Sequence, residues 1–254
     1  MRRRLLLGLL ATMLLGACSA WREPTVPMRT IAEPARCSTR PDTLLVLLPG
    51  MRSLPEEFQR EGFVQAVRDR QIAADVLLVD AHWGYYDNRS IVDRLRADVI
   101  QPARLQGYRH IWLAGISLGG VGAMLYAEAW AGEVDGVVML APYLGTLESA
   151  QQIQSAGGLA AWQAPPDGDD DVRLWRWLQV QTQHTADAKK LPLYLGYGQS
   201  DRFAFNAEVL RQALPAGRVF TTAGGHDWDA WTVLWQAVLD AGALSSIPCV
   251  RGAP

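Results

Sequence analysis

The sequence predicts an α/β fold: a mostly parallel central sheet with helices on both faces. Two observations lead to this prediction. Short apolar stretches typical of buried strands alternate along the chain with longer stretches of helical character. The chain also has 254 residues, 49% of them hydrophobic, which is enough to form one sizeable core.

The alternation places six strands and six helices in order along a domain that we expect to span residues 42–254. Each strand is a short apolar run that ends in turn residues. The expected strands are 43–48, 74–79, 110–114, 136–140, 191–197 and 218–222. The expected helices are 55–70, 89–105, 118–131, 173–182, 203–213 and 227–242.

The most informative segment lies between the third strand and the third helix. It reads Gly115, Ile116, Ser117, Leu118 and Gly119. A Gly-x-Ser-x-Gly run between a strand and a helix is typical of a nucleophile elbow, where small neighbours permit a sharp turn that exposes the serine. The N–H of Leu118 then begins a helix and faces a developing oxyanion. The alternative is a glycine-rich turn with a surface serine.

A serine hydroxyl needs a base, and the base needs a carboxylate to fix its tautomer. Asp201 follows the apolar run 191–197, and His226 lies on a glycine-rich loop after the last expected strand. The order Ser117, Asp201, His226 therefore predicts a catalytic triad. Asp80 is the main rival for the acid and His82 the rival for the base, although both precede the serine.

In these motifs the sequence resembles the α/β-hydrolase family over about residues 42 to 243. The Gly-Gly-His-Asp-Trp run at 224–228 is similar to carboxylesterases of the esterase D type and their acyltransferase relatives. The resemblance implies an α/β-hydrolase fold and a second oxyanion donor after the first expected strand. The resemblance assigns that donor to the backbone N–H of Met51. Gly50 is the alternative, because the His-Gly-Gly-Gly run that marks the donor in lipases is absent.

The interval 145–190 interrupts the alternation of strands and helices, at a place where this family often carries a cap. Its middle is rich in Pro, Gly and Asp and is expected to be a loop, with Trp162, Trp175 and Trp177 on either side. One interpretation is a small lid with an aromatic wall over the acyl pocket. The other is a surface helix whose tryptophans pack on the core.

The first residues have the pattern of an export signal. Three arginines precede an apolar run from Leu5 to Ala17, which is too short to span a bilayer comfortably. The run ends in Leu15-Gly16-Ala17-Cys18, which resembles a bacterial lipobox. The resemblance implies a signal peptide at 1–17, acyl chains on Cys18 and a lipidated tether over 18–41. The alternative is a plain secretory signal.

The residue after the lipobox cysteine bears on the destination. It is Ser19 rather than an aspartate, and this favours the outer membrane of a bacterial envelope, facing the periplasm.

Two cysteines, Cys37 and Cys249, remain outside the signal. Exported cysteines usually pair, so we expect a disulfide that joins the two ends of the domain. Two free thiols are the alternative.

The composition argues against several other functions. Without Arg2, Arg3 and Arg4 the chain carries 21 basic and 26 acidic side chains, a formal charge of −5, which gives no electrostatic basis for binding nucleic acid. The four histidines are scattered, and no metal-site or nucleotide-binding motif occurs. We therefore expect no metal and no cofactor.

Together these features predict a membrane-anchored serine hydrolase that cleaves small-molecule or lipid esters through an acyl-enzyme, as a monomer. Acyl transfer to an alcohol on the same scaffold is an alternative, because water and alcohols use the same triad. A binding lipoprotein that kept the fold without catalysis is a second alternative, since fold does not determine function.

Overall fold

A computed structural model describes residues 22–183, 190–244 and 249. Within these residues seven strands form one sheet in the order β1-β3-β2-β4-β5-β6-β7. All neighbouring strands are parallel except β1, which pairs antiparallel with β3 at one edge. The strands are Thr30–Glu33 (β1), Thr43–Leu48 (β2), Asp75–Val79 (β3), His110–Ile116 (β4), Gly136–Leu140 (β5), Leu193–Gly198 (β6) and Val219–Thr222 (β7).

Ten α-helices lie among the described residues, on both faces of the sheet. They are Glu57–Arg60 (α1), Phe63–Asp69 (α2), Trp83–Asp87 (α3), Ile91–Leu95 (α4), Gln101–Leu105 (α5), Leu118–Ala129 (α6), Leu147–Ser155 (α7), Asp170–Thr182 (α8), Ala204–Arg211 (α9) and Trp228–Asp240 (α10). A π-helical turn, Arg96–Ile100, joins α4 to α5, and a 3₁₀ turn, Ala216–Arg218, precedes β7.

The sheet is buried on both faces, as the continuous apolar runs in the sequence predict. Every residue of β2 and of β5 is buried. One apolar cluster covers the face that packs against α2 and α10, and a second covers the face that packs against α6, α8 and α9. On the first face the rings of Phe63 and Trp235 stack at 5.4 Å.

All six strands predicted from the sequence are confirmed within two residues at their ends. The helices are more broken than predicted. The segment 55–70 contains two short helices because Gly62 adopts a positive φ of 77° between them. Two helices were not predicted, α3 and α7; Thr146 caps the second by accepting a hydrogen bond from Ser149 N.

The interpretation of 18–41 as a tether is wrong for its described part, which belongs to the domain. Thr30–Glu33 extends the sheet, and Met28 is buried, with its N–H donating to Asp98 at 2.9 Å. The four-residue strand lies at an edge and is only half-buried, so its sequence has no apolar run that would predict it. The domain therefore includes the described residues from Arg22 to residue 41, which lie before the expected boundary at residue 42.

The segment predicted as a cap contains α7, α8 and the loop between them, with residues 184–189 outside the described part. Of the two interpretations of its tryptophans, the aromatic wall is wrong. Trp162 and Trp175 are buried in the main core, and Trp177 packs against it, as the alternative interpretation held. The beginning of α8 nevertheless reaches the cleft described below through Asp171 and Leu174.

The two ends of the domain are joined by a disulfide between Cys37 and Cys249, which closes a loop of 212 residues. The N–H of Cys249 also donates to Gln71 O at 2.7 Å. Over the described ranges, no helix combines the length and apolar character that a bilayer span requires. Residues 1–17 and Cys18, predicted as signal peptide and lipidation site, lie outside the described residues.

Candidate active site

The turn between β4 and α6 has the geometry of a nucleophile elbow. Ser117 has φ 52° and ψ −113°, a left-handed conformation that a non-glycine residue rarely adopts. Its N–H donates to Leu140 O on β5 at 2.9 Å, and its carbonyl accepts from Gly120 N at 3.0 Å. The neighbouring strand and the new helix therefore hold this strained backbone in place.

The two glycines of the motif are required by the closeness of the turn. A Cβ on Gly115 would lie 2.1 Å from the carbonyl oxygen of Gly119, because the chain folds back on itself. A Cβ on Gly119 would lie 2.1 Å from the carbonyl oxygen of Leu48, at the end of β2. Any larger side chain at either position would push the helix away from the sheet.

The structure brings together all three residues predicted as a triad. The Ser117 hydroxyl lies 3.0 Å from His226 Nε2, and His226 Nδ1 lies 2.8 Å from Asp201 Oδ2. Each comes from a loop at the carboxyl ends of β4, β6 and β7, so the parallel sheet collects them at one edge. The arrangement gives the serine a base and the base a carboxylate.

The carboxylate of Asp201 is held almost without contact with solvent. Its side chain is only 1% exposed, and its second oxygen, Oδ1, accepts the N–H of Phe203 at 2.8 Å. The imidazole of His226 is packed edge-on against two rings, Phe203 and Trp231, each at 5.1 Å. Hydrogen bonding and packing thus hold both the carboxylate and the imidazole in place.

The rival acids and bases have other partners. Both carboxylate oxygens of Asp80 accept from Nη1 of Arg22, at 2.7 and 2.8 Å. His82 caps α3 by accepting a hydrogen bond from Gly84 N through Nδ1, and burial lowers the pKa of its imidazole. Asp227, next to the predicted base, caps α10 by accepting from Ala230 N.

Two backbone N–H groups next to the serine are available as oxyanion donors. Among the described residues, no hydrogen bond uses the N–H of Met51 or of Leu118, and the N–H of Gly50 is equally without a partner. Leu118 is the first residue of α6, where N–H groups lack partners within the helix. A Cβ on Gly50 would lie 3.7 Å from the Cβ of Ser117, so this loop packs directly beside the serine.

Ser117 and His226 open into a cleft of about 1130 Å³ that extends along α6. Leu118, Val121 and Leu125 form its floor, one turn apart on the same face of the helix. Apolar residues of α4 and α8, namely Ile91, Val92 and Leu174, line its sides. At 1.5 Å per residue, α6 follows the cleft for about 16 Å from residue 118 to residue 129, and the apolar floor from residue 118 to residue 125 takes about 10 Å of this length.

The far end of the cleft is charged. Glu128 and Arg173 line it and form an ion pair at 3.2 Å. Burial raises the pKa of the Glu128 carboxyl in spite of this arginine. The cleft thus runs from a polar reactive end, through an apolar middle, to a polar far end.

Sequence reasoning missed the residues of this groove. The spacing 118, 121, 125, 128 was visible as one helical stripe, but a stripe of this kind usually faces a core. The aromatic-rich segment after β3 was within reach of sequence reasoning, because it follows a strand as Ser117 does, and Tyr86 of this segment lines the cleft. Its ring lies against Gly122 of α6, where a Cβ would be 2.3 Å from the hydroxyl oxygen.

Over the described residues, no group of three or more His, Cys, Asp or Glu side chains is arranged to hold a metal ion. No protein-family model matches this chain, and no curated protein sequence matches it either.

Solved structures do resemble the chain. A ferulic acid esterase matches with a TM-score of 0.54 and 16% identity over 85% of this chain and 98% of its own. An S-formylglutathione hydrolase from Staphylococcus aureus matches with a TM-score of 0.52 and 15% identity, over 87% and 97%. A putative non-heme bromoperoxidase from Mycobacterium tuberculosis matches with a TM-score of 0.57 and 14% identity, over 89% and 99%. The protein has the α/β-hydrolase fold.

Proposed function

We propose that this α/β-hydrolase-fold protein is a membrane-anchored serine hydrolase of carboxylic esters. The observation that carries the proposal is the hydrogen-bonded series Ser117, His226, Asp201 at the mouth of an open cleft. A serine, an imidazole and a buried carboxylate in this geometry form the constellation that activates a hydroxyl for attack on an acyl carbon. Asp201 is the acid because Asp80 is engaged by Arg22.

In the first half of the reaction, Ser117 Oγ attacks the ester carbonyl carbon while His226 Nε2 takes the hydroxyl proton. Asp201 stabilises the imidazolium that forms. The carbonyl oxygen becomes an oxyanion, and the N–H groups of Met51 and Leu118 bind it. When the tetrahedral intermediate collapses, His226 returns the proton to the departing alcohol, and an acyl-enzyme remains on Ser117.

In the second half, water replaces the alcohol. His226 removes a proton from the water as its oxygen attacks the acyl carbon, and the same two N–H groups hold the second oxyanion. Collapse releases the carboxylic acid and returns the proton to Ser117 Oγ. Every step uses groups of this chain and the substrate, and no cofactor takes part.

The backbone around the serine suits this chemistry. Leu118 N–H lies at the start of a 12-residue helix, where the helix dipole favours negative charge. We assign the second donor to Met51, which also lines the cleft. Because these donors are already fixed and without partners in the described structure, binding the oxyanion requires little reorganisation.

The comparisons agree with this reaction class at the level of fold. Two of the similar structures bear the names of hydrolases, a ferulic acid esterase and an S-formylglutathione hydrolase. The substrate of this chain is proposed from its own cleft, as a small-molecule or lipid ester.

The anchor rests on the sequence. Cys18 follows a short apolar segment in a lipobox-like run, and acyl chains on this residue would hold the enzyme on a bacterial envelope membrane, at the outer membrane facing the periplasm. The domain would then act there as a monomer.

Hydrolysis of p-nitrophenyl acetate by the purified full chain tests the proposed activity. The parent should release p-nitrophenol, and Ser117→Ala should lose nearly all of this activity while keeping its circular dichroism spectrum. A Ser117→Ala variant as active as the parent would refute the proposal. Cys18→Ser tests the anchor separately: it should remain unprocessed or appear in the soluble fraction, and an acylated Cys18→Ser protein would contradict the lipoprotein assignment.

A further inference from the structure

The first described residues lie beyond the carboxyl ends of the parallel strands, as the proposed active site does. β1 runs antiparallel to β3, with Thr30 opposite Val79 at the carboxyl end of β3. The chain that precedes Thr30 therefore extends beyond the carboxyl ends of the parallel strands, where Ser117 also lies. β3 is two strands away from β4, which corresponds to about 10 Å across the sheet.

Residues 22–29, which we call the strap, are fastened to this edge by several bonds. Arg22 forms its ion pair with Asp80, directly after β3. The hydroxyl of Tyr85 accepts from Thr25 N and donates to Thr25 O, both at 3.0 Å. The carbonyl oxygen of Arg29 accepts from Asp80 N at 2.9 Å. The strap therefore has a defined path on the domain up to Arg22.

The proposed lipid site is close to that point. Cys18 precedes Arg22 by four residues, and four extended residues span at most about 14 Å. A bilayer that holds acyl chains on Cys18 must then lie within about 14 Å of Arg22. This short reach limits how far the domain can turn its active-site edge away from the membrane.

Exposed apolar side chains are concentrated at the same end of the sheet, beyond the carboxyl ends of the parallel strands. Of the seven large hydrophobic residues that are exposed in the described structure, four lie there: Val26 in the strap, Met51 and Leu54 after β2, and Leu147 after β5. Leu105 lies at the opposite edge, just before β4. We call Val26, Leu54 and Leu147 the apolar rim.

Two cations stand at the cleft beside this rim. Arg52 and Arg202 line it, and neither forms an ion pair with any carboxylate of the described residues. The guanidinium of Arg202 lies over the ring of Phe203, 4.9 Å from its centroid. Guanidinium groups without a carboxylate partner, next to exposed apolar side chains, suit a surface that combines phosphate headgroups with acyl chains.

We infer that the active-site edge lies against the membrane in which the protein is anchored, and that its substrate is an ester of a lipid in that membrane. The inference rests on the proposed function, including its anchor. The apolar rim contacts the acyl region, Arg52 and Arg202 contact lipid phosphates, and the groove along α6 takes the aliphatic chain. At about 1.3 Å for each methylene of an extended chain, about eight carbons cover the apolar floor from residue 118 to residue 125, and a 12-carbon chain reaches the Glu128–Arg173 pair.

The contact with the bilayer is tested without reference to catalysis. The full acylated chain is reconstituted into vesicles of phosphatidylethanolamine and phosphatidylglycerol, beside a variant with 15 Gly/Ser residues inserted between positions 21 and 22. Amide hydrogen exchange in segments 50–56 and 145–149 should be about tenfold slower in the parent than in the spacer variant. Equal exchange in both proteins would overturn the inference, whether or not the enzyme is active.

The use of the rim in catalysis is tested with two substrates, soluble p-nitrophenyl acetate and a fluorogenic dodecanoyl ester held in the vesicles. The double variant Leu54→Gln and Leu147→Gln should keep its rate on the soluble ester and lose about tenfold on the vesicle ester, through weaker burial of two leucines. Leu105→Gln is the control, a still more exposed leucine at the opposite ends of the strands, and should retain both rates.

The possible results separate this inference from the proposed function. A double variant that matches Leu105→Gln on the vesicle ester would overturn the orientation, while soluble hydrolysis would leave the esterase assignment intact. A parent inactive on both esters but with protected rim segments would refute the proposed activity and support the orientation. A Cys18 without acyl chains by mass spectrometry, in a protein that does not sediment with vesicles, would refute the anchor and the inference together.

Discussion

Replacing Asp201 by asparagine changes one atom of the proposed triad and tests its assignment. The side chain is 1% exposed, so water cannot substitute for the lost charge. Its Oδ1 accepts the N–H of Phe203, and this bond keeps the oxygen of the new amide on that side. The amide NH₂ then faces His226 Nδ1, which can accept its proton but no longer donate.

The consequence for the base can be followed from the distances. With Nδ1 as an acceptor, the neutral imidazole carries its proton on Nε2, the atom 3.0 Å from Ser117 Oγ. That nitrogen cannot then remove the serine proton. A wrong tautomer of this kind reduces kcat by about 10⁴ in a serine protease, which corresponds to about 5.4 kcal/mol of activation free energy. We expect Asp201→Asn to show a loss of that order.

Two neighbouring aspartates provide matched controls. Asp227→Asn should keep its rate within about twofold, because asparagine caps a helix as well as aspartate does. Asp80→Asn weakens the ion pair with Arg22 but touches no group of the triad, so kcat on a soluble ester should also be retained.

The assay is the steady-state hydrolysis of p-nitrophenyl acetate by the parent and the three variants, with folding followed by circular dichroism. If Asp201→Asn keeps a near-normal kcat while Asp80→Asn loses it, the triad assignment is wrong although the hydrolase assignment survives. Equal losses in all three folded variants would show that the carboxylates act through the fold rather than through the histidine.

Three further predictions concern packing, the groove and the disulfide. Gly119→Ala should lower the unfolding free energy by about 3 kcal/mol or more, because the new methyl would lie 2.1 Å from a backbone oxygen. Gly50→Ala is the control, since its methyl would make ordinary contacts at 3.7 Å. Urea unfolding of both variants measures the difference. Leu125→Trp should fill the middle of the groove and displace two buried methylenes of a bound acyl chain, at about 0.8 kcal/mol each. The ratio of kcat/KM for a dodecanoate ester to that for an acetate ester should then fall by about 15-fold. An unchanged ratio would show that the acyl chain binds elsewhere. Cys37→Ser should lower the unfolding free energy by several kcal/mol, at most about 5, since it opens a 212-residue loop, and an unchanged urea midpoint would contradict a stabilising bridge.

Most of the sheet could be predicted because its strands are buried on both faces. Such strands must be apolar throughout, so Thr43–Leu48 and Gly136–Leu140 stand out from their neighbours. Thr30–Glu33 could not be predicted in this way, because it is an edge strand of the sheet and needs only partial apolar character. The short helix Trp83–Asp87 was missed because its cap is a histidine side chain, an unusual capping group.

The proposed triad could be predicted residue by residue because each member follows a strand in a fixed chain order. The substrate groove could not. Its floor comes from Val121 and Leu125, whose spacing also suits a helix face buried in a core. This face lines an open groove because α4 and α8 pack on either side of it and do not cover it. The positions of these two helices depend on contacts between distant parts of the chain.

The central claim is that Ser117 is an activated nucleophile, and a fluorophosphonate probe tests it most directly. The probe phosphonylates only a serine whose hydroxyl is activated by a neighbouring base. The account predicts one adduct on the folded parent, located by mass spectrometry on the peptide that contains Ser117, and none in Ser117→Ala. Labelling of His226→Ala should be strongly reduced. A parent that remains unlabelled, or one labelled equally after Ser117→Ala, would contradict the account.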